Sequence, residues 1–311
     1  MAKKSVIPIV FAVDDNYAPC LGVTIASIKE NASKDYKYKL YILIDKLSVA
    51  NRVKLFSLST PNFNIEFINV KEKLDTIKGK LHLRDYYTNT TYFRFFIPAL
   101  FPKYSKILYL DSDLLVHGDI SELYNKDIGD NYVGAIQEEV MALFKVFGDY
   151  VEQGLGVPCK DYFNAGIMLM NLKQLRAIKI EEIFVDLLSK YKFEVTQDED
   201  YLNVICKGRT ILFDLSWNKT PIENPEFKLD KINIVHFKLS HKPWHYDGVL
   251  YSEGFWDYAK MTPYYKELLS VKNNFSDEDK KNDEIVFNNL QRTAFEYTNS
   301  ENNYKKSEGI E

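Results

Sequence analysis

The chain has 311 residues, of which 46% are hydrophobic and 14% aromatic, so it suits one large α/β domain with an appendage or two small domains and is not a low-hydrophobicity disordered chain. A net charge of -4 excludes sequence-independent nucleic-acid binding, which needs a clustered excess of Lys and Arg to displace counterions from phosphates. The three cysteines, Cys20, Cys159 and Cys206, are far apart and form no Cys-x-x-Cys pair, so they support neither a disulfide framework nor a zinc site and fit a reducing cytoplasm.

Met1-Ala-Lys-Lys followed by the apolar run 6–13 has the charge order of a signal peptide. The run is short, meets Asp14-Asp15 and has no small-residue cleavage pattern, so it reads as a first buried strand. Its core, 7–13, is continuously apolar and rich in β-branched residues, as expected of a strand covered on both faces. A helical pattern follows with Leu21, Thr24, Ile25 and Ile28 on one face, and 38–44 reads as a second strand. Val49, Val53 and Phe56 recur at helical spacing and 65–70 gives a third strand, so the first 70 residues resemble half of a nucleotide-binding sheet. Ligands of such sheets sit at the carboxyl ends of strands, which singles out Asp14, Asp15 and Asn16.

After a polar stretch, 74–90, the segment 91–100 carries Tyr92, Phe95 and Phe96 and stops at Pro98, which predicts one short buried helix. A strand at 107–110 ends on Asp111-Ser112-Asp113, with a second apolar run at 114–116. Strands are further expected at 133–136, 165–170 and 232–235, the last ending at His236, and helices at 180–191 and 198–206. There is no internal repeat, and no run of about 18 apolar residues that could span a membrane. From Val271 the composition turns to Asn, Asp, Glu, Lys and Ser, so the expected catalytic domain is 1–270 and the tail is 271–311. Within the tail Val286, Leu290, Ala294 and Tyr297 share one helical face. That stripe suits packing back on the domain or a homo-oligomer contact better than a peripheral seat on the inner face of the membrane, because it has little basic excess.

The strongest chemical signal is the pair Asp111 and Asp113, two carboxylates directly after a strand, where the bend lets both face one ion. Hard oxygen ligands suit Mg²⁺ or Mn²⁺, which keep places open for substrate phosphates. The plain alternative is a pair of solvated loop acids. His236, at a strand end, is the best placed third ligand and shifts preference toward Mn²⁺; a lone histidine there also suits a hydrogen-bonded core or rim residue. Lys242 could hold a diphosphate as a point charge, and Asn164 beside Gly166 offers donor and acceptor to a hydroxylated ligand. The run Gln197-Asp198-Glu199-Asp200 reads as a helix start, where acids favour the positive dipole end; Asp198 could also bond sugar hydroxyls.

Together these residues resemble glycosyltransferase family 8, specifically its bacterial lipopolysaccharide galactosyl- and glucosyltransferase-like members, with glycogenin more distant. The resemblance runs from about Ile7 to Trp244. It is carried by Phe11-Ala-Val-Asp-Asp-Asn-Tyr17, Thr90-Thr-Tyr-Phe-Arg94, Leu108-Tyr-Leu-Asp-Ser-Asp113, Tyr162-Phe-Asn-Ala-Gly166, Gln197-Asp-Glu-Asp200, and His236-Phe with Lys242-Pro-Trp244. It implies a single α/β nucleotide-sugar-binding domain of the A type, Rossmann-like with a mostly parallel sheet, and a retaining transfer from a UDP-sugar with Mn²⁺. It further implies that Ala12, Asp14, Asn16 and Tyr17 hold the uridine, that Asp111, Asp113 and His236 bind the metal, and that Ser112 touches the nucleotide. By the same resemblance Arg94, Asn164 and Asp198 orient the donor sugar and Lys242 meets the diphosphate. Galactose and glucose are the donors implied, and a glycan, lipid-linked glycan or glycoprotein the acceptor.

Two departures stand out. The family usually has a glycine between His236 and Lys242, where this chain has Lys238-Leu-Ser-His241, and usually a Gln where this chain has Glu199. The second leaves two routes to retention open, a carboxylate nucleophile from Asp198 or Glu199, or attack from the leaving-group face. The competing functions are a phosphoryl-transfer hydrolase with an Asp-x-Asp nucleophile, whose motif should fall earlier in the domain, and a catalytically silent sugar-nucleotide binder, which an intact metal triad argues against. Because donor chemistry is assigned to residues before Trp244, the tail is expected to be separable from it.

Overall fold

The computed structural model describes residues 4–77, 79, 81, 89–224 and 231–310; part of the polar stretch 74–90 lies outside them. Nine strands are described: β1 Val6–Ala12, β2 Lys37–Ile44, β3 Phe63–Asn69, β4 Lys106–Leu110, β5 Leu114–Val116, β6 Val133–Gln137, β7 Phe163–Asn171, β8 Thr210–Phe213 and β9 Ile234–His236. The chain divides into two compact units, the first made of Met1–Leu74, Ile107–Asp127 and Asp214–Phe275, the second of Asp75–Lys106, Ile128–Phe213 and Ser276–Glu311.

In the first unit the strands run in the order β3-β2-β1-β4, with every neighbouring pair parallel. Ile7 through Ala12 are buried, as a strand covered on both faces requires. After β3 the chain crosses to the far side of β1, so the crevice between the carboxyl ends of β1 and β4 is a topological switch point, where sheets of this kind take ligands. Pairing of Ile9 with Leu108 and Val10 with Tyr109 brings the residues after β1 beside those after β4.

The helix Ala18–Asn31 joins β1 to β2 and is buried continuously from Ala18 to Ile28. Gly22 is needed there, since a Cβ would lie 2.6 Å from Cδ2 of Tyr264. In the next helix, Val49–Phe56, the residues that recur at helical spacing point outward, with Val49 75% and Val53 64% exposed, while Asn51 and Leu55 face the interior. The antiparallel ribbon of β5 and β9 was not expected from sequence; it pairs Leu114 with His236.

In the second unit the order is β7-β6-β8, with β6 antiparallel to β7 and parallel to β8. Three expectations change here. The segment expected as one helix ending at Pro98 is a 3-10 helix, Asn89–Phe96, followed by a separate turn of α-helix, Ile97–Leu100. Pro98 lies in the first turn of that helix, where its missing N–H has no intrahelical partner to lose. The strand expected at 165–170 begins at Phe163, so Asn164 lies inside β7.

The main helix of the tail is Asp277–Asn299, closed at its start by a capping box of Ser276 and Asp279, and a short helix, Tyr304–Ser307, follows it. The main helix buries Leu290 and Ala294 and packs in the same unit on the helices Lys145–Asp149 and Tyr150–Gly154. Phe287 meets the edges of Phe144 and Phe147 there. Among the described residues no helix is long and apolar enough to cross a membrane.

Candidate active site

The loop after β4 is held by the buried helix beside it. Thr24 Oγ1 donates to the carbonyls of Ser112 and Leu114, both at 2.9 Å, and accepts from the Leu114 N–H at 3.1 Å, while Ser27 accepts from the Val116 N–H at 3.0 Å. These two hydroxyls, in the otherwise apolar buried stretch of the helix from Ala18 to Ile28, satisfy backbone that no strand pairs on that side. Ser112 Oγ donates to the Ala12 carbonyl at 2.9 Å and ties the ends of β4 and β1 together. On the other side the ribbon register sets His236 opposite Leu114, and the Phe237 N–H donates to the Asp113 carbonyl at 3.0 Å.

The result is a cluster of Asp111, Asp113 and His236 whose ligand atoms all lie within 4.8 Å of one another. His236 Nε2 is 3.2 Å from Asp113 Oδ1 and 3.7 Å from Asp111 Oδ2. A divalent ion with bonds of about 2.1 Å places adjacent ligands about 3 Å apart, so the donor set fits Mn²⁺ or Mg²⁺ in size and chemistry. His236 Nδ1 lies 3.0 Å from Asn218 Oδ1; donating its proton there leaves Nε2 with the lone pair that a metal needs. Tyr109 donates its hydroxyl proton to Asp111 Oδ1 at 2.8 Å.

Lys242 is buried, with Nζ 2.8 Å from Asp113 Oδ2 and 2.5 Å from the Phe237 carbonyl. Burial alone would raise the Asp113 carboxyl, but the Lys242 ammonium and His236 outweigh it and hold it far below the usual carboxylate range. The Lys242 ammonium, which burial alone would lower, is raised by Asp113. The Tyr17 ring lies 5.4 Å from Lys242 Nζ, and burial pushes its phenol up to about 12. Asp14 Oδ1 accepts from the N–H groups of Asn16 and Tyr17, at 3.0 and 3.1 Å, and so shapes the turn between β1 and its helix. Leu239, in the segment between His236 and Lys242 where the family usually has a glycine, adopts φ +61°, the left-handed conformation that a glycine takes readily. Ala12, Asp14, Asn16, Tyr17, Asp111, Ser112, Asp113, His236 and Lys242 thus all belong to the first unit.

Arg94, Asn164, Asp198 and Glu199 belong to the second, and all four are buried. Arg94 Nε lies 3.0 Å from Asp198 Oδ2, and the guanidinium also donates to the carbonyls of Thr91 and Ala165. Asn164 Nδ2 donates to Glu138 Oε2 at 2.7 Å and to Glu199 Oε2 at 2.9 Å, while its Oδ1 accepts from the Gly166 N–H. Glu199 Oε2 accepts a second bond, from the Ala165 N–H at 2.8 Å. Asn164 therefore grips Glu199 here. Asn203 fastens the helix Asp198–Cys206 to β7 through both Phe163 backbone groups.

Sequence reasoning passed over Glu138, Asn203 and Asn218, and gave Asp200, named only within the acidic run, no role of its own. Glu138 directly follows β6, so the rule that marked Asp14 and Asp111, an acid at a strand's carboxyl end, would have found it. The other three carry no such signal.

The family model described as glycosyl transferase family 8 matches residues 8–248. General stress protein A of Bacillus subtilis is 28% identical over 266 residues, 78% of this chain and 89% of its own length. Lipopolysaccharide glucosyltransferase WaaO of Escherichia coli K12 is 27% identical over 284 residues, 85% of this chain and 77% of its own length. Among solved structures, the galactosyltransferase LgtC in complex with donor and acceptor sugar analogs superposes with a TM-score of 0.70 at 27% identity, covering 83% of this chain and 96% of that one.

Proposed function

This chain belongs to glycosyltransferase family 8 and has its A-type α/β fold, and we propose that it is a retaining, Mn²⁺-dependent hexosyltransferase that uses a UDP-sugar. The donor sugar is galactose or glucose and the acceptor a glycan, lipid-linked glycan or glycoprotein. The observation that carries this reading is the convergence of Asp111, Asp113 and His236 beside the switch point of a parallel sheet.

The turn of Ala12, Asp14, Asn16 and Tyr17 after β1 takes the uridine, with the Tyr17 ring as a stacking face for the base. The backbone of Ser112 lines the nucleotide. Asp111, Asp113 and His236 hold the cation, whose task is to neutralise charge that develops on the departing diphosphate. Lys242 is released from Asp113 toward the same phosphates, adding a second positive charge where negative charge grows.

Arg94, Asn164 and Asp198 orient the hexose. Arg94 holds Asp198 in an ion pair, and two N–H donors hold one oxygen of Glu199. Both acids are thereby fixed in direction, as a group must be to face an oxocarbenium-like centre whether as nucleophile or as electrostatic support. The pocket contacts that separate galactose from glucose amount to one hydroxyl. A cytoplasmic site of action, with the acceptor at the inner face of the membrane, belongs to the same proposal.

The test is a mass-spectrometric screen of UDP-sugars for hydrolysis with Mn²⁺ and with a chelator. The expected result is release of UDP from UDP-galactose or UDP-glucose that stops on chelation. Hydrolysis unaffected by chelation, or none from any UDP-hexose, contradicts the reading.

A further inference from the structure

The turn that presents Asp198 and Glu199 is built against ordinary backbone preference. Gln197 has φ 54° and ψ -110°, a conformation that a side chain other than glycine keeps only where its surroundings hold it. From this turn Asp198 reaches Arg94, and Glu199 reaches Asn164 and the Ala165 N–H.

Asp200 supplies the hold. Its carboxylate is fully buried, and Oδ2 accepts from the Thr196 N–H at 3.0 Å, closing the turn from within. The same oxygen accepts from the Tyr150 hydroxyl at 2.9 Å, and Oδ1 from the Tyr162 hydroxyl at 2.7 Å, which also lies 2.7 Å from Thr196 Oγ1. All of these donors are neutral, and burial raises the carboxyl above its ordinary value.

Tyr150 is supported from behind by the C-terminal helix. The Tyr297 ring packs edge-on against Tyr150 at 5.5 Å and against Phe193 at 6.2 Å. It fits because Gly154 has no side chain; a Cβ there would lie 3.1 Å from Tyr297 Cδ1. The Tyr297 hydroxyl accepts from the Tyr304 N–H, and Tyr304 packs in turn on Tyr191 and Phe193. One aromatic contact and one carboxylate therefore join the tail to the acidic turn.

We propose that Tyr150 and Tyr297 are positioning residues for the turn 197–200, which makes segment 276–311 a working part of the sugar-handling network rather than a separable appendage. This rests on the reading that Asp198 and Glu199 act on the donor sugar. Tyr150→Phe removes only a hydroxyl that fixes Asp200, and Tyr297→Ala removes the ring behind it together with the hydroxyl that accepts from the Tyr304 N–H.

In the full chain, kcat and KM for Mn²⁺-dependent donor hydrolysis and the Kd for UDP are measured for these two variants, for Tyr297→Phe, and for Asp198→Asn and Glu199→Gln as references. The first two are expected to lose roughly ten- to a hundredfold in kcat, the scale of a small misplacement of reacting groups, with the Kd for UDP within about twofold. Tyr297→Phe, which keeps the ring, should return to within about threefold of the parent. Unchanged kcat in Tyr150→Phe and Tyr297→Ala, with kcat lost in Asp198→Asn or Glu199→Gln, overturns the proposal and leaves the underlying reading standing. Unchanged kcat in both acid variants overturns that reading and the proposal with it. Parallel losses of UDP affinity and kcat would mark general loosening and also overturn it; should Tyr297→Ala not fold, Tyr150→Phe alone decides.

Discussion

In the first unit Asp111 and Asp113 stand at a strand end with side chains 27% and 11% exposed, and their neighbours are a histidine and a lysine. In the second unit Asp198, Glu199 and Asp200 are buried and held by an arginine, an amide, backbone N–H groups and tyrosine hydroxyls. On the proposed reading the first group of acids holds an exchangeable cation, whereas the second is held by the protein's own groups and forms part of its interior. Removing an acid should therefore separate function from stability in the first unit and damage both in the second.

The largest effect is expected where that interior is broken. Arg94→Met removes the guanidinium paired with the buried Asp198 and the donors to the carbonyls of Thr91 and Ala165, so unfolding free energy should fall by about 3–5 kcal/mol. Denaturant unfolding checks this, and a loss under about 1 kcal/mol would erase the contrast between the two units.

Asp111→Ala is the counterpart in the first unit, the more exposed of the two carboxylates there. Turnover should fall on the order of 10²-fold or more while stability stays within about 1 kcal/mol. Activity within about threefold of the parent at low Mn²⁺ would remove Asp111 from the metal site. Asp113→Ala is a poorer probe, because it strands the buried Lys242 ammonium.

A smaller effect is expected at Asn218, which meets no ligand directly. Asn218→Leu removes the acceptor that fixes the His236 tautomer, so Mn²⁺ affinity should drop about tenfold or more, read by metal titration. Unaltered affinity would mean that the ring is oriented by the ribbon alone.

The smallest is a pH effect in the second unit. Asp200 has a folded value above its ordinary 3.8, so the folded chain holds that proton more tightly than the unfolded one. By linkage its contribution is greatest below 3.8 and declines as pH rises from there to the folded value. Asp200→Asn lacks the titration, so the wild-type advantage in unfolding free energy, measured without metal, should shrink with rising pH over that window. A difference that stays constant or grows contradicts the direction.

The α/β class was legible because β1, the second half of β2 (40–44) and β4 from 107 on are continuous apolar runs followed by acids, and burial on both faces leaves little polar alternation to confuse the pattern. Asp111 and Asp113 were legible as a strand-end pair for the same reason. His236 was legible only as a strand end; what brings it to Asp111 is a ribbon pairing between segments 120 residues apart, which no local pattern encodes. Asn218, Asn203 and Asp200 act through partners fixed by tertiary structure, so residue type alone does not distinguish them from ordinary polar positions. The stripe of Val49, Val53 and Phe56 has helical spacing yet faces outward, because the buried side of that helix is set by what Asp15 and Tyr264 need from Asn51. Pro98 starts a helical turn where it had been expected to stop one; a proline's missing N–H suits the first turn of a helix, and the sequence does not show where that turn begins.

The central claim is that the first unit binds a nucleotide through a cation held by Asp111, Asp113 and His236. Calorimetric titration of UDP tests it most directly, with Mn²⁺ and with a chelator, into the parent chain and into His236→Ala. Mn²⁺ should strengthen UDP binding about tenfold or more in the parent, and His236→Ala should abolish that gain while leaving the weak metal-free binding in place. Equal UDP affinity with and without Mn²⁺ in the parent, or a full Mn²⁺ gain in His236→Ala, would contradict the account.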